Sequence, residues 1–146
     1  MTLENLLRVG KLKPHAVDKA EIARILTAAA RALADANVER LSSDSRLDLA
    51  YRAIMQAAMA AMLASGYRPA TSEPGHHQLL IQALPTTAGV STERMRVLDA
   101  YRVARNQSNY RGVPVSDAVA RECASDAATI LTEVRAWIAA NRPDLA

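Results

Sequence analysis

Residues 104–112 bring together the side chains of this chain that are best suited to chemistry. Arg105 stands where the helical pattern predicts an apolar residue, and Asn106 and Tyr110 follow it within about one and a half turns. A guanidinium binds phosphate through two parallel N–H groups, whereas an unpaired buried charge is costly. We therefore expect Arg105 to face a cleft or an interface rather than open solvent.

A helix capped by Ser91 and running to about Asn109 is expected to position this group. At about 100° per residue, Arg105 projects near the middle of the apolar face, close enough for Tyr101 to stack on it. Arg94 lies nearly above Arg105 on the same side of the helix. The predicted apolar face comprises Val97, Leu98, Tyr101 and Ala104.

A structural role for Arg105 is the alternative. Its aliphatic stem then crosses the core, and its guanidinium pairs with a carboxylate such as Asp48 or Asp117. Asp48 also begins a polar ridge with Arg52 and Gln56 on the third predicted helix. The simplest interpretation of that ridge is a solvated face with an ion pair along the helix.

The composition predicts the fold class. Half of the residues are hydrophobic, but the chain has no Phe, one Trp and four Tyr. Alanine, the best helix former, dominates, and the enrichment typical of strands is missing. We expect an all-α bundle of five to six helices in a single domain, residues 1–146, with the third helix at its centre because it is apolar on nearly every side. The helices are predicted over residues 3–9, 17–37, 45–64, 76–84, 91–109 and 116–141, the bundle core over about 17–141, and connecting loops over 67–75 and 86–90.

The net charge and the single cysteine restrict the possible partners and the cellular compartment of the protein. A net charge of +3 permits nucleic-acid binding without requiring it. The single cysteine, Cys123, excludes an internal disulfide and favours a reducing compartment. The longest apolar run, residues 57–65, is too short to span a membrane, and the first residues lack the pattern of a signal peptide. We therefore expect a cytoplasmic protein with no membrane segment.

Two adjacent histidines open the fourth predicted helix. His76 and His77 point about 100° apart, so one helical turn does not present both to one metal. The chain has no HExxH or CxxC motif, and we expect neither a metal site nor a cofactor. Either His77 packs against the polar ridge of the third helix, or it is a catalytic histidine remote in sequence from Arg105.

Four short segments stand in a fixed order along the chain: residues 44–53, 75–77, 105–106 and 110–112. Taken together, they resemble the HEPN-domain family. The resemblance covers about residues 14–137. It implies an all-α, HEPN-like bundle that pairs into homodimers, and a metal-independent endoribonuclease of a toxin–antitoxin or defence system. It also implies a partner protein, such as a nucleotidyltransferase-like antitoxin.

The catalytic motif of that family is an arginine, a polar residue and, a few residues later, a histidine. Arg105 and Asn106 match the first two positions, but Tyr110 stands where the histidine is expected. In metal-independent RNA cleavage, an arginine neutralises the phosphorane and a base takes the 2′-hydroxyl proton. Histidine suits the second role, whereas tyrosine, with a reference pKa of about 10, is a poor base unless it is strongly perturbed.

Two functions are open at this point. In the first, the protein acts on RNA as an endoribonuclease with a degenerate motif, and the Arg105 side chains of a homodimer meet across the two-fold axis. In the second, it is a non-catalytic module that binds a nucleotide or nucleic acid, or a dimerising partner. The expected site comprises the catalytic residues Arg105, Asn106 and Tyr110 and the substrate-binding residues Arg94, Tyr101, Arg111 and His77.

Overall fold

Seven α-helices and one two-stranded sheet form the described part of the chain, residues 2–70 and 75–146 of a computed structural model. This architecture confirms the predicted all-α bundle. None of these helices is long and apolar enough to cross a membrane. The elements in order are α1 (Leu3–Arg8), β1 (Leu12–Pro14), α2 (Lys19–Ala36), α3 (Ser43–Ala64), β2 (Tyr67–Pro69), α4 (His76–Gln82), α5 (Leu84–Ala88), α6 (Thr92–Arg111), α7 (Asp117–Asn141) and a final 3-10 turn (Pro143–Leu145).

The helix α3 lies at the centre of the bundle, as predicted. Nearly every side chain from Ala53 to Ala64 is buried. Its long flanks pack against α2 and α7, while α4 and α6 cover another side. Many of the buried positions are alanine, and small side chains let helix axes approach closely. A core of this kind forms without phenylalanine.

Local capping fixes where the long helices begin and end. The carboxylate of Asp18 accepts hydrogen bonds from two backbone N–H groups in the first turn of α2. The hydroxyls of Ser42, Ser91 and Ser116 accept in the same way at the starts of α3, α6 and α7. Gly112, with a φ of 65°, ends α6 in the left-handed region. The helix that carries Arg105 therefore begins where its sequence predicts.

The short sheet contradicts one expectation. Residues 67–75 are expected to form a loop, but the first three of them are β2, which pairs antiparallel with β1. Lys13 lies opposite Arg68 in this ladder. Three residues are too few to leave a periodic pattern, and each strand contains a proline, which reads as a breaker. The pairing ties the start of the chain to the end of α3.

The segment after α4 also differs from its prediction. Pro85 is expected to end a helix at residue 84, with a loop over residues 86–90. Instead, Pro85 lies in the first turn of α5. Proline is tolerated there because the N–H groups of a first turn have no acceptor within the helix. Gly89 ends α5 with a φ of 67° and leads into α6.

Candidate functional site

A pocket of about 300 Å³ opens where α2, α3, α4 and α6 meet. One face of α3 forms its floor, and α4 and α6 supply polar side chains to its walls. The pocket contains two side chains that sequence analysis singled out in separate segments, His77 and Arg105. Its apolar lining consists of Ile25, Met55, Met59 and Leu80.

Arg105 is held at the edge of this pocket by three neighbours. Its Nε donates to Asp48 Oδ1 at 3.0 Å, and its Nη1 donates to Asn106 Oδ1 at 3.3 Å. Its Cζ lies 5.5 Å from the centroid of the Tyr51 ring, within range of a cation–π contact. No described residue accepts a hydrogen bond from Nη2. The guanidinium is therefore oriented, but it keeps donors for a ligand.

The ion pair with Asp48 is one that the sequence predicts for a structural arginine. Asn109 donates to the same Oδ1 atom at 3.2 Å, so Asp48 is shared between two α6 side chains. The ion pair expected within the ridge does not form, because Asp48 turns towards Arg105 rather than towards Arg52. The three residues of the ridge line the pocket, whereas the sequence predicts that they form a solvated face.

Tyr51 connects the arginine to the histidine. Its side chain is 2% exposed. Burial raises the pKa of Tyr51 to about 12, against the opposing charge of Arg105. The phenol is therefore neutral, and its hydroxyl lies 3.5 Å from His77 Nδ1, at the outer limit of hydrogen bonding. Tyr51 positions both groups without carrying charge itself.

His77 is a neutral imidazole close to cationic groups. Burial lowers the pKa of His77, and the neighbouring His76 and Arg105 lower it further. The His76 and His77 rings meet edge to face with centroids 4.6 Å apart. A neutral imidazole beside a guanidinium can accept a proton while the arginine holds an anion.

The floor of the pocket holds one buried polar atom without a partner. Oε1 of Gln56 is enclosed and receives no hydrogen bond from any described residue. A buried unpaired acceptor is destabilising, by about 1–3 kcal/mol in general. Gln56 is thus the member of the ridge whose side-chain oxygen is buried without a partner among the described residues.

The stacking partner of Arg105 is not the one expected. Tyr101 is 7% exposed and directs its hydroxyl to Asp126 on α7, at 2.6 Å. Burial, followed by this hydrogen bond, raises the pKa of Tyr101. Arg105 instead lies over Tyr51 of α3. Which tyrosine ring Arg105 contacts depends on how α6 is rotated against α3 and α7. The periodic pattern of α6 alone does not give that rotation.

The remaining predicted residues of α6 lie apart from the pocket lining. Asn106 contacts Arg105 directly. Tyr110 is 76% exposed, Arg111 is exposed in the last turn, and neither lines the pocket. Arg94 pairs with Glu133 of α7 in a different, shallow groove. Of the seven expected site residues, the structure brings together Arg105, Asn106 and His77.

Sequence reasoning missed Tyr51, Met55 and Met59 as pocket residues. They share one face of α3 with Asp48, so the polar ridge was the sequence feature that could have pointed to them. Their apolar side chains, however, look the same in sequence as those of ordinary core residues. Within residues 2–70 and 75–146, no group of three or more histidine, cysteine or acidic side chains could hold a metal ion.

Comparison with known proteins gives no relative from which a function can be transferred. Neither a protein-family model nor a curated protein matches the chain. The resemblance to the HEPN family therefore stays a prediction.

Proposed function

We propose that this chain is a HEPN-like protein that acts on RNA without a metal, through the pocket that contains Arg105 and His77. The observation that supports this proposal is that a guanidinium with an unused donor and a neutral imidazole line the same pocket. Metal-independent cleavage needs these two groups: a cation for the phosphorane and a base for the 2′-hydroxyl. His77 is the base in this proposal, because Tyr110, at the position of the motif histidine, offers only a phenol.

The proposed reaction is an internal phosphoryl transfer. His77 removes the proton of a 2′-hydroxyl, whose oxygen attacks the adjacent phosphorus. The bond to the 5′-oxygen of the next nucleotide breaks, and the imidazolium returns the proton to that oxygen. The products are a 2′,3′-cyclic phosphate and a 5′-hydroxyl. Arg105 stabilises the charge on the phosphorane, and Asn106 helps to orient the guanidinium.

The exposed residues beyond the pocket fit contacts with the rest of the strand. Tyr110 can stack on a base or donate a hydrogen bond to phosphate, and Arg111 adds positive charge beside it. In this proposal neither residue touches the reacting atoms.

The test is cleavage of a mixed RNA pool in the presence of a chelator. We expect the wild type to cleave, with cyclic phosphate ends, and His77→Gln and Arg105→Ala each to lose activity by at least about 100-fold. Tyr110→Phe serves as the control for the motif position and should keep most of the activity. Full activity in folded His77→Gln, together with its loss in Tyr110→Phe, contradicts the assignment of the base.

A non-catalytic binding module is the second candidate. The observation that favours it is the apolar part of the pocket, Ile25, Met55, Met59 and Leu80, which suits a flat nucleobase better than a reacting phosphate. This candidate requires that the folded wild type binds single-stranded RNA or nucleotides in a salt-dependent way and leaves RNA intact.

The proposal includes assembly as a homodimer in the cytoplasm, with a nucleotidyltransferase-like antitoxin as a further partner. Support for the dimer comes from large apolar side chains of α6 that are exposed in the monomer. Val97, expected on the buried face, is 48% exposed, and Val103 and Tyr110 are exposed on the same helix. Sedimentation equilibrium at micromolar concentration tests it: a strict monomer removes the homodimer from the proposal.

A further inference from the structure

A second pocket continues the first along α3. It has a volume of about 340 Å³ and lies between α2, α3, α4 and β2. The two pockets share three lining residues, Ile25, Met59 and His76. They therefore form one groove, which we call the α3 groove, rather than two separate cavities.

The length of the groove follows from the helix that forms its floor. Asp48 lines one end and Leu63 lines the other, with Met55 and Met59 between them. These positions fall on one face of α3. Fifteen residues at about 1.5 Å each span about 22 Å. A groove of that length exceeds the size of one nucleotide.

Positive charge is present at both ends of the α3 groove. Three arginines line it, Arg105 and Arg52 at one end and Arg68 at the other, against two carboxylates, Asp48 and Glu21. Each carboxylate already has a partner: Asp48 pairs with Arg105, and Glu21 pairs with His15 at 2.7 Å. Neither Arg52 nor Arg68 forms an ion pair with any described residue.

The sheet provides an independent sign of an anion at the second end. Lys13 lies directly opposite Arg68 in the ladder between β1 and β2, so the two cationic side chains share one face. Like charges at opposite positions of a strand pair are destabilising. A phosphate bound at Arg68 offsets that repulsion.

We infer that the α3 groove holds a strand of at least two nucleotides, with one phosphate at Arg105 and a second at Arg68. Lys13 does not line the groove, but it lies across the ladder from Arg68 and adds positive charge beside that end. This inference rests on the proposed function and extends it by a second subsite. His76 stands where the two pockets meet, and its exposed ring offers a surface on which a base stacks. Met59 and Ile25 form the apolar floor below that base.

Calorimetric titration with adenosine 5′-monophosphate and with 5′-phosphorylated tetraadenylate tests the second subsite. Arg68→Ala should weaken tetraadenylate binding by about tenfold and leave the mononucleotide affinity unchanged. Arg105→Ala should weaken both. For Arg68→Ala, the negative slope of log affinity against log salt should become shallower by about 0.7, the value for one lost phosphate contact on a single strand. Arg121→Ala, an exposed arginine on α7, is the matched control and should change nothing.

A stability measurement separates a ligand site from a purely structural pair. If Lys13 and Arg68 repel each other, Lys13→Ala should raise the melting temperature while it weakens tetraadenylate binding. A fall in melting temperature with unchanged binding overturns the inference.

The outcomes also separate this inference from the proposed function. Binding that depends on Arg105 but not on Arg68 rejects the second subsite and leaves the proposed function standing. Absence of binding of either ligand to the folded wild type rejects both.

Discussion

Arg94 and Arg105 lie eleven residues apart on one face of α6, and both are predicted to contact a substrate. Their surroundings differ. Arg94 pairs with Glu133 in a shallow groove beside Trp137, and the two side chains are 36% and 39% exposed. Arg105 pairs with Asp48 over the Tyr51 ring at the edge of a pocket that also contains a neutral histidine.

A carboxylate partner does not by itself assign an arginine to a structural role. Both arginines have such a partner. What differs is a histidine in the same pocket, which Arg105 has in His77 and Arg94 lacks among the residues lining its groove. Arg94 links α6 to α7 through Glu133, whereas Arg105 is the ligand contact in the proposed function.

The largest expected difference between the two arginines is in activity. Arg105→Ala should lower metal-free RNA cleavage by at least about 100-fold, because it removes the cation that stabilises the phosphorane. Arg94→Ala should leave cleavage within about twofold, since a partly exposed ion pair contributes at most about 1 kcal/mol to stability. Initial rates on one labelled RNA check both. Equal losses in the two variants would refute the distinction.

The glycines that flank α6 provide the next comparison, in stability. Gly112→Ala should lower the free energy of unfolding by about 1 kcal/mol, because alanine is strained at positive φ but has open space there. Gly89→Ala should cost about 2 kcal/mol or more, because its Cβ also lies 2.7 Å from Cζ3 of Trp137, which must move. Urea unfolding measures both. Equal losses show that the Trp137 ring moves without cost.

A smaller effect is expected when each carboxylate partner is neutralised. Asp48→Asn and Glu133→Gln should each change the free energy of unfolding by less than about 1 kcal/mol, because both pairs are partly exposed. Asp48→Asn should also raise RNA affinity severalfold, since it removes a negative charge from the pocket and keeps an acceptor for Arg105. Glu133→Gln should leave affinity unchanged. A loss of affinity in Asp48→Asn would mean that the ion pair itself positions the guanidinium.

The smallest expected effect is in the pH dependence of stability. The pKa of His77 is lower in the folded protein than in the unfolded chain, so the unfolded state takes up a proton first as the pH falls. The free energy of unfolding should therefore decrease as the pH falls through about 6.5, the ordinary histidine pKa. Thermal unfolding at about pH 7.5 and 5.5 should show a smaller difference in His77→Gln than in the wild type. An unchanged difference would contradict a lowered pKa.

Much of the fold is predictable from local sequence. Ser91 caps α6 as expected, because a cap is a contact between residues two or three positions apart. The errors have one origin. Pro85 predicts the end of a helix, but it lies in the first turn of α5. The strand β2 forms only because it pairs with a strand more than fifty residues away. Neither outcome is contained in a short window of sequence.

The site is predictable in part. The misfit of Arg105 in its helical pattern identifies the central residue, and Asp48 is one of its two expected partners. The stacking of Tyr101 is not observed, because α6 turns Tyr101 towards Asp126. Tyr51 carries no sequence signal that separates it from an ordinary core tyrosine.

The sequence by itself determined the all-α class, the starts of the long helices and the unusual position of Arg105. These depend on helix propensity, capping and periodicity, which act over a few residues. Only the tertiary structure decided that His77 and Tyr51 share a pocket with Arg105. Their proximity depends on how α3, α4 and α6 rotate and pack against one another, and that packing is set by interhelical contacts along the whole bundle.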